Sequence, residues 1–292
     1  MKGILVPAYY PFWTDEGKNA YNQLVQAAIS MTKTELLVVL NPNSGPMGKE
    51  DGWLPNRLTF AANLRNQGGK VLCYVSTDYG HRDVGLVKAD IAKYLEVFRD
   101  DAGRSLVDGI FFDEASTDPT LQTVLINIAF ASLPSGKVVL NCGVQTGKEL
   151  KMPNVLTVTC ENVWAEWLNS VYNTHAHHQV VIPHGYKGKD WSTLVEADYA
   201  YVSPTSDADI WGVLHPEFAS LVQFVEEHAD RPPAPEPAPT PAPETSQLNA
   251  IRDVVTELEF ALSAITQGVS QLAVEIDKLL DDGYTTSLSA KL

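Results

Sequence analysis

The sequence predicts an α/β chain: a (β/α)8 TIM-type barrel over residues 1–228, then a Pro-rich linker and a C-terminal coiled-coil helix. Three observations carry this. Eight short β-rich apolar runs alternate with helix-like segments, which implies a parallel sheet with crossover helices. Eight such units within 228 residues match the count and length of a closed barrel. The composition then breaks abruptly after His228. A doubly wound open sheet is the alternative, weakened because no Gly-x-Gly-x-x-Gly turn follows the first strand.

The predicted strands are Gly3–Tyr9, Leu36–Leu40, Val71–Ser76, Gly109–Phe112, Lys137–Leu140, Val155–Cys160, Gln179–Pro183 and Tyr199–Val202. Helix-like segments between them include Asn19–Ser30, Leu58–Gln67, Leu86–Phe98, Leu121–Ala131 and Ala165–Tyr172. Polar and aromatic residues gather where the strands end. In a barrel those ends share one face, and active sites are built there.

Asp108 to Glu114 reads as a short buried strand ending in two adjacent carboxylates. Ionised carboxylates are costly to bury, so Asp113 and Glu114 should sit at an open strand end facing a cleft. Along the sixth strand, alternation puts Val155, Thr157, Thr159 and Glu161 on one face. Glu161 then projects toward the axis two strands from Asp113. Two carboxylates across a cleft, one ionised and one kept protonated, are what glycosidic cleavage needs. Tyr9, Tyr10, Trp13, Tyr74, Tyr79, Trp164, Tyr186 and Trp211 offer rings for stacking on sugar faces, although most aromatics in any domain are core. Tyr79 and Arg82 suit sugar hydroxyls, and Arg82 equally suits an acid partner that shapes its loop. His184 follows the seventh strand as a substrate contact. Asn41 and Asn141 can bond either sugar or neighbouring loops.

Four sequence blocks in order resemble the spherulation-specific (spherulin-type) glycoside hydrolase family. They are Val6–Pro11, Asn41–Pro46, Tyr74–Arg82 and Asp108–Glu114, with Tyr201–Ser203 through His215–Pro216 similar to the family's end segment. The resemblance covers about residues 1–228. It implies a (β/α)8 barrel and an endo-acting hydrolase of α-1,4-linked galactosamine or N-acetylgalactosamine exopolysaccharide. It assigns the family's Asp-Glu pair to Asp113 and Glu114 and its later Glu to Glu161. With the inward face of the sixth strand, it makes Asp113 the nucleophile, Glu161 the acid/base and Glu114 a supporting carboxylate; a carboxyl separation of about 5–5.5 Å would fit retention, and about 6.5–9.5 Å inversion. Tyr201 joins the substrate-binding set. The family's Ser-Gly-Pro-Gly is Ser44-Gly45-Pro46-Met47-Gly48 here, and its Asn-Pro-Gly is Asn141-Cys142-Gly143.

The formal charge of −15 argues against nucleic acid, whose phosphates it would repel. No apolar run is long enough for a membrane span. Cys73, Cys142 and Cys160 lie in apolar runs without disulfide or zinc spacing. His175, His177 and His178 lack a carboxylate or Cys at ligand spacing, so no metal or cofactor is expected.

Residues 229–245 form a Pro/Ala-rich spacer. Across 246–283, Leu248, Val255, Leu262, Val269 and Ile276 take a positions, and Ile251, Leu258, Ile265, Leu272 and Leu279 take d positions. Apolar Val254, Ala261, Ala273 and Leu280 at flanking positions widen the seam, which favours a homotrimer over a dimer. A short tail, 284–292, follows. No signal peptide is legible at the N-terminus. A hydrolase on an oligomeric stalk suits display on a virion, such as a phage tail depolymerase among other virion proteins. A secreted or cell-surface enzyme is the alternative setting, and a non-catalytic carbohydrate- or receptor-binding module is the alternative function.

Overall fold

The computed structural model describes residues 1–143, 152–161, 178–194, 197–205 and 210–229. The chain divides into two units, Met1–Glu236 and Pro237–Leu292. The heptad segment lies outside the described residues, as do Trp164, His175 and His177.

Eight strands close into an all-parallel barrel in sequence order. They are β1 (Gly3–Pro7), β2 (Glu35–Leu40), β3 (Lys70–Ser76), β4 (Gly109–Asp113), β5 (Lys137–Asn141), β6 (Val155–Cys160), β7 (His178–Val181) and β8 (Ala197–Ala200). β1 pairs β8 through Gly3 with Tyr199 and Ile4 with Ala200, which closes the ring. A strand covered on both faces has no solvent side, so β1 and β6 are buried at every position. β8 begins two residues earlier than its sequence predicts. Its charged Asp198 hides the start, but the Asp198 carbonyl accepts from Lys2 N at 2.7 Å and its carboxylate pairs with Lys2 Nζ at 2.9 Å.

Helices α1 (Asp15–Ser30), α2 (Leu54–Asn66), α3 (Val84–Val97), α4 (Pro119–Ser132) and α5 (Phe218–Glu227) flank the barrel. Three open on side-chain caps that satisfy otherwise unpaired first-turn amides. Thr14 accepts from Gly17 N at 3.0 Å, Asp83 from Leu86 N at 3.1 Å and Asp118 from Thr120 N at 2.7 Å. α5 is an addition to the predicted helices. It buries Phe218, Leu221, Val222 and Val225, and its Glu226 accepts from the backbone amides of Thr32, Lys33 and Thr34 just ahead of β2.

The floor of the barrel is ionic. Glu35 meets Lys70 at 2.6 Å and Lys137 at 2.9 Å, and accepts the Tyr199 hydroxyl. Burial alone would raise its pKa, but the bonds from Lys70, Tyr199 and Lys137 outweigh that and hold it at about 2. Gly3 is required beside this cluster, because a Cβ there would lie 2.1 Å from the Glu35 carbonyl oxygen. Charge consumed at the floor leaves the opposite rim, where the strands end, to present a second polar cluster.

Candidate active site

β4 delivers Asp113 to the rim, and β5 delivers Asn141 beside it. Asn141 is 1% exposed, so its carboxamide is oriented by protein contacts alone. Its Nδ2 donates to Asp113 Oδ1 at 2.8 Å, its Oδ1 accepts from Gly143 N at 3.2 Å, and its carboxamide also bonds Glu161 at the end of β6. Asp113 additionally accepts the Tyr74 hydroxyl from β3 and the backbone amide of Glu114. Burial raises the Asp113 pKa, and these three donors offset part of the rise. Among the described residues, Asn141 is the donor to Glu161. Burial first, then the Asp113 charge, push its pKa up to about 7, with Asn141 pulling slightly the other way. The pair therefore holds one carboxyl rich in donors and one inclined to keep its proton near neutrality.

A strained clasp stands over this pair. Asp78, Tyr79 and Glu114 all have left-handed backbones, with φ of 47°, 52° and 51°. Such angles are costly outside Gly and cluster at functional sites. The clasp is stitched between β3 and β4. Tyr79 N donates to the Glu114 carbonyl at 2.6 Å, and Thr77 Oγ1 donates to the carbonyls of Asp113 at 3.2 Å and Glu114 at 2.8 Å. Ser76 Oγ donates to Glu114 Oε2 at 2.8 Å. The Tyr79 ring, 52% exposed, feels Glu114, Asp113 and Glu161, which add to desolvation in raising its pKa. Ser76 and Thr77 were not legible as site residues. Their only sequence signal is a pair of hydroxyls between a strand and Asp78-Tyr79-Gly80.

Residues 3–225 match the spherulation-specific family 4 model, Spherulin4. The chain belongs to spherulation-specific family 4. Spherulin-4 of Physarum polycephalum, a member by name, is 33% identical over 126 residues, 43% of this chain and 33% of its own length. The chain thus matches about a third of that relative's length. Among solved structures, Aspergillus clavatus Sph3 in complex with GalNAc superposes with a TM-score of 0.61 at 20% identity, covering 77% of this chain and 97% of that one. The PgaB (BpsB) glycoside hydrolase domain of Bordetella bronchiseptica gives 0.47 at 9% identity, covering 79% and 99%. The Sph3 likeness agrees with the barrel.

Of the residues predicted for this family member's site, Asp113, Glu114, Glu161, Tyr74, Tyr79 and Asn141 come together. Tyr9 joins them, its ring edge-on to Tyr74 at 5.9 Å and in the field of Asp113 and Glu161. Others lie elsewhere: Tyr10 and Tyr201 are corrected, while Arg82 and Asn41 follow the loop-shaping reading that was open to each. Tyr10 and Tyr201 are core residues, 2% and 0% exposed. Tyr10 packs on Tyr21, and Tyr201 packs on Phe218 and Trp211 with its hydroxyl on the Val213 carbonyl. Arg82 is bound at 2.6 Å to Asp90 and at 2.8 Å to the Ser76 carbonyl, so it braces the β3 loop. Asn41 Oδ1 accepts from Gly45 N at 3.0 Å and closes the β2 loop. The Tyr186 hydroxyl is engaged by Asp190 in its own loop, and its ring packs on Trp191. His184 lies half buried after β7, where burial lowers its pKa. Cys73, Cys142 and Cys160 are buried and in no disulfide. Among the described residues, no three His, Cys, Asp or Glu side chains converge on a metal-sized site.

Proposed function

We propose that this protein is an endo-acting glycoside hydrolase of a galactosamine- or N-acetylgalactosamine-type polysaccharide. The observation that carries the proposal is the single buried carboxamide of Asn141 shared by Asp113 and Glu161, with Glu161 at about 7. A binding module has no use for a buried carboxyl poised to gain or lose its proton near neutral pH. The sugar class draws on the GalNAc complex of the related Sph3.

In this reading Glu161 donates its proton to the glycosidic oxygen as the bond to the anomeric carbon breaks. Asp113, whose three donors favour its ionised form against burial, attacks that carbon and forms a glycosyl ester. Glu161, now a carboxylate, takes a proton from water, whose oxygen displaces Asp113. Two carboxyls bonded to one carboxamide favour the retaining separation of about 5–5.5 Å over the inverting one of about 6.5–9.5 Å. Glu114, held by Ser76, orients the substrate. The heptad segment joins copies of the chain into a trimer, an arrangement suited to display on a larger assembly.

The test is release of reducing ends from a galactosamine-containing exopolysaccharide and a panel of bacterial capsules. Wild type should cleave, the first product should keep its anomeric configuration by proton NMR, and Asp113→Asn and Glu161→Gln should each abolish turnover. Full activity in either variant would end the assignment.

A further inference from the structure

Two tryptophans from different loops meet at the rim where the strands end. Trp13 lies between β1 and α1, and Trp53 opens α2. Their ring centroids are 6.0 Å apart at 49°, yet the rings remain 59% and 39% exposed. Their neighbours in sequence are core residues. Phe12 stacks on Tyr21 at 3.8 Å, and Leu54 is buried. Helix stability does not account for either tryptophan. Trp13 occupies the position before the Thr14 cap, where an apolar residue earns its place by packing on the fourth helical residue. That residue is Lys18, which pairs with Asp15 instead. Trp53 holds the cap position of α2 without making a side-chain cap bond, where Ser, Thr, Asp or Asn would stabilise the helix.

We infer that Trp13 and Trp53 form a remote subsite for the polysaccharide chain, several sugars from the cleaved bond; this rests on the hydrolase reading above. Two lines support it. The pair lies on the same rim as the carboxyls, because the segment that follows β1 carries both Tyr9, in the field of Asp113 and Glu161, and Trp13. The charge around it selects the ligand. Glu16, Glu50 and Asp51 flank the rings in sequence, while Lys18 and Lys49 are paired with Asp15 at 3.3 Å and Glu96 at 2.7 Å. Indole faces pack on the apolar C–H faces of pyranose rings. Flanking carboxylates suit neutral or ammonium-bearing hexosamines and disfavour uronates.

The experiment uses the full-length chain with Trp13→Ala and Trp53→Ala combined. In a Glu161→Gln background, binding is measured to poly-α-1,4-galactosamine exopolysaccharide and to polygalacturonate. In the active background, KM and kcat are measured on the long polymer and on a trisaccharide. The double alanine variant should bind the galactosamine polymer about tenfold more weakly. Its KM for the long polymer should rise by a similar factor while kcat is held, the loss should shrink on the trisaccharide, and polygalacturonate should bind neither form. Paired Phe substitutions should restore most of the affinity. Unchanged polymer binding and KM in a chain that still cleaves would overturn the subsite and leave the hydrolase standing. Equal loss on the trisaccharide would also overturn it. A wild type that neither binds nor cleaves the polymer would overturn both.

Discussion

Asn141 Nδ2 sits 2.8 Å from Asp113 Oδ1, and the same carboxamide reaches Glu161. A donor shared between two carboxyls stabilises whichever is ionised. It therefore lowers both pKa values while burial and mutual repulsion raise them. The two groups are coupled, so in the proposed hydrolase the acidic and alkaline limbs of the rate profile should belong to the pair.

Replacing Asn141 by Leu removes the donor and keeps the volume. Loss of a bond to the charged form raises both pKa values, so both limbs of the kcat/KM profile should move to higher pH. Turnover at the optimum should fall about a hundredfold, the scale for losing one preorganised donor. A pH–rate profile checks this. A fall in rate with unmoved limbs would mean that Asn141 only supports the fold.

Glu161 should weaken the fold it serves. Its folded pKa of about 7 lies above the unfolded value, so between pH ~4.5 and ~7 the folded state binds more protons than the unfolded one. Stability contributed by the protonated acid is complete below ~4.5 and is lost as pH rises through 7. Glu161→Gln should therefore stabilise the protein at pH 8, by at most about 3 kcal/mol, and should change little at pH 4. Urea unfolding at the two pH values measures the difference. The same variant should lose activity, the usual exchange at a functional site.

Thr77 has no path to substrate in its bonding pattern, since its hydroxyl is spent on the carbonyls of Asp113 and Glu114. Thr77→Val leaves those carbonyls short of a donor and should cost about 1–2 kcal/mol. It should also let Glu114 leave its left-handed angle, lowering kcat about tenfold through misplacement of the pair. Thr77→Ser, which keeps the hydroxyl, should restore kcat. Equal kcat for the Val and Ser variants would remove the positioning role.

The barrel was legible because parallel strands buried on both faces leave unbroken apolar runs, and all eight appear in order. Asp113 and Glu161 were legible for the converse reason, since a carboxylate ending such a run has no structural use there. Tyr10 and Tyr201 show where that logic fails. An aromatic at a strand end can point to the cleft or back under the helices, and α1 and α5 supply Tyr21 and Phe218 as packing partners for the second choice. Asn141 and Thr77 were opaque as organisers because their bonds cross between strands. Barrel closure, not local spacing, decides which residues face each other there.

The floor cluster makes an acid-stability prediction of opposite sign to that of Glu161. The folded pKa of Glu35, about 2, lies below its unfolded value, so its contribution is present above pH ~4.5 and lost as pH falls toward 2. Glu35 is partly open to solvent, which reduces the gain. Glu35→Gln also leaves Lys70 and Lys137 converging without their shared anion. The variant should lose about 2 kcal/mol at pH 7, and the gap to wild type should close as both are taken to pH 2. Urea midpoints across that range decide it, and a gap independent of pH would show that charge is not the cause.

The heptad segment makes a prediction that needs no sugar chemistry. A lone helix of this sequence would carry Leu, Ile and Val at every a and d position and expose an apolar stripe, which helix propensity alone would not hold in water. The Pro/Ala spacer before it lacks the composition to form a packing surface. We therefore propose that other copies of the chain cover this pattern, with Val254, Ala261, Ala273 and Leu280 at flanking positions favouring three copies over two. Light scattering of the full-length chain should give three times the 32.0 kDa protomer mass. Leu262→Lys with Ile265→Lys places charge at adjacent a and d layers and should return the protomer mass with the barrel's activity on short substrates intact. A monomeric wild type would refute the assembly without touching the active site, because the carboxyl pair is complete within one chain.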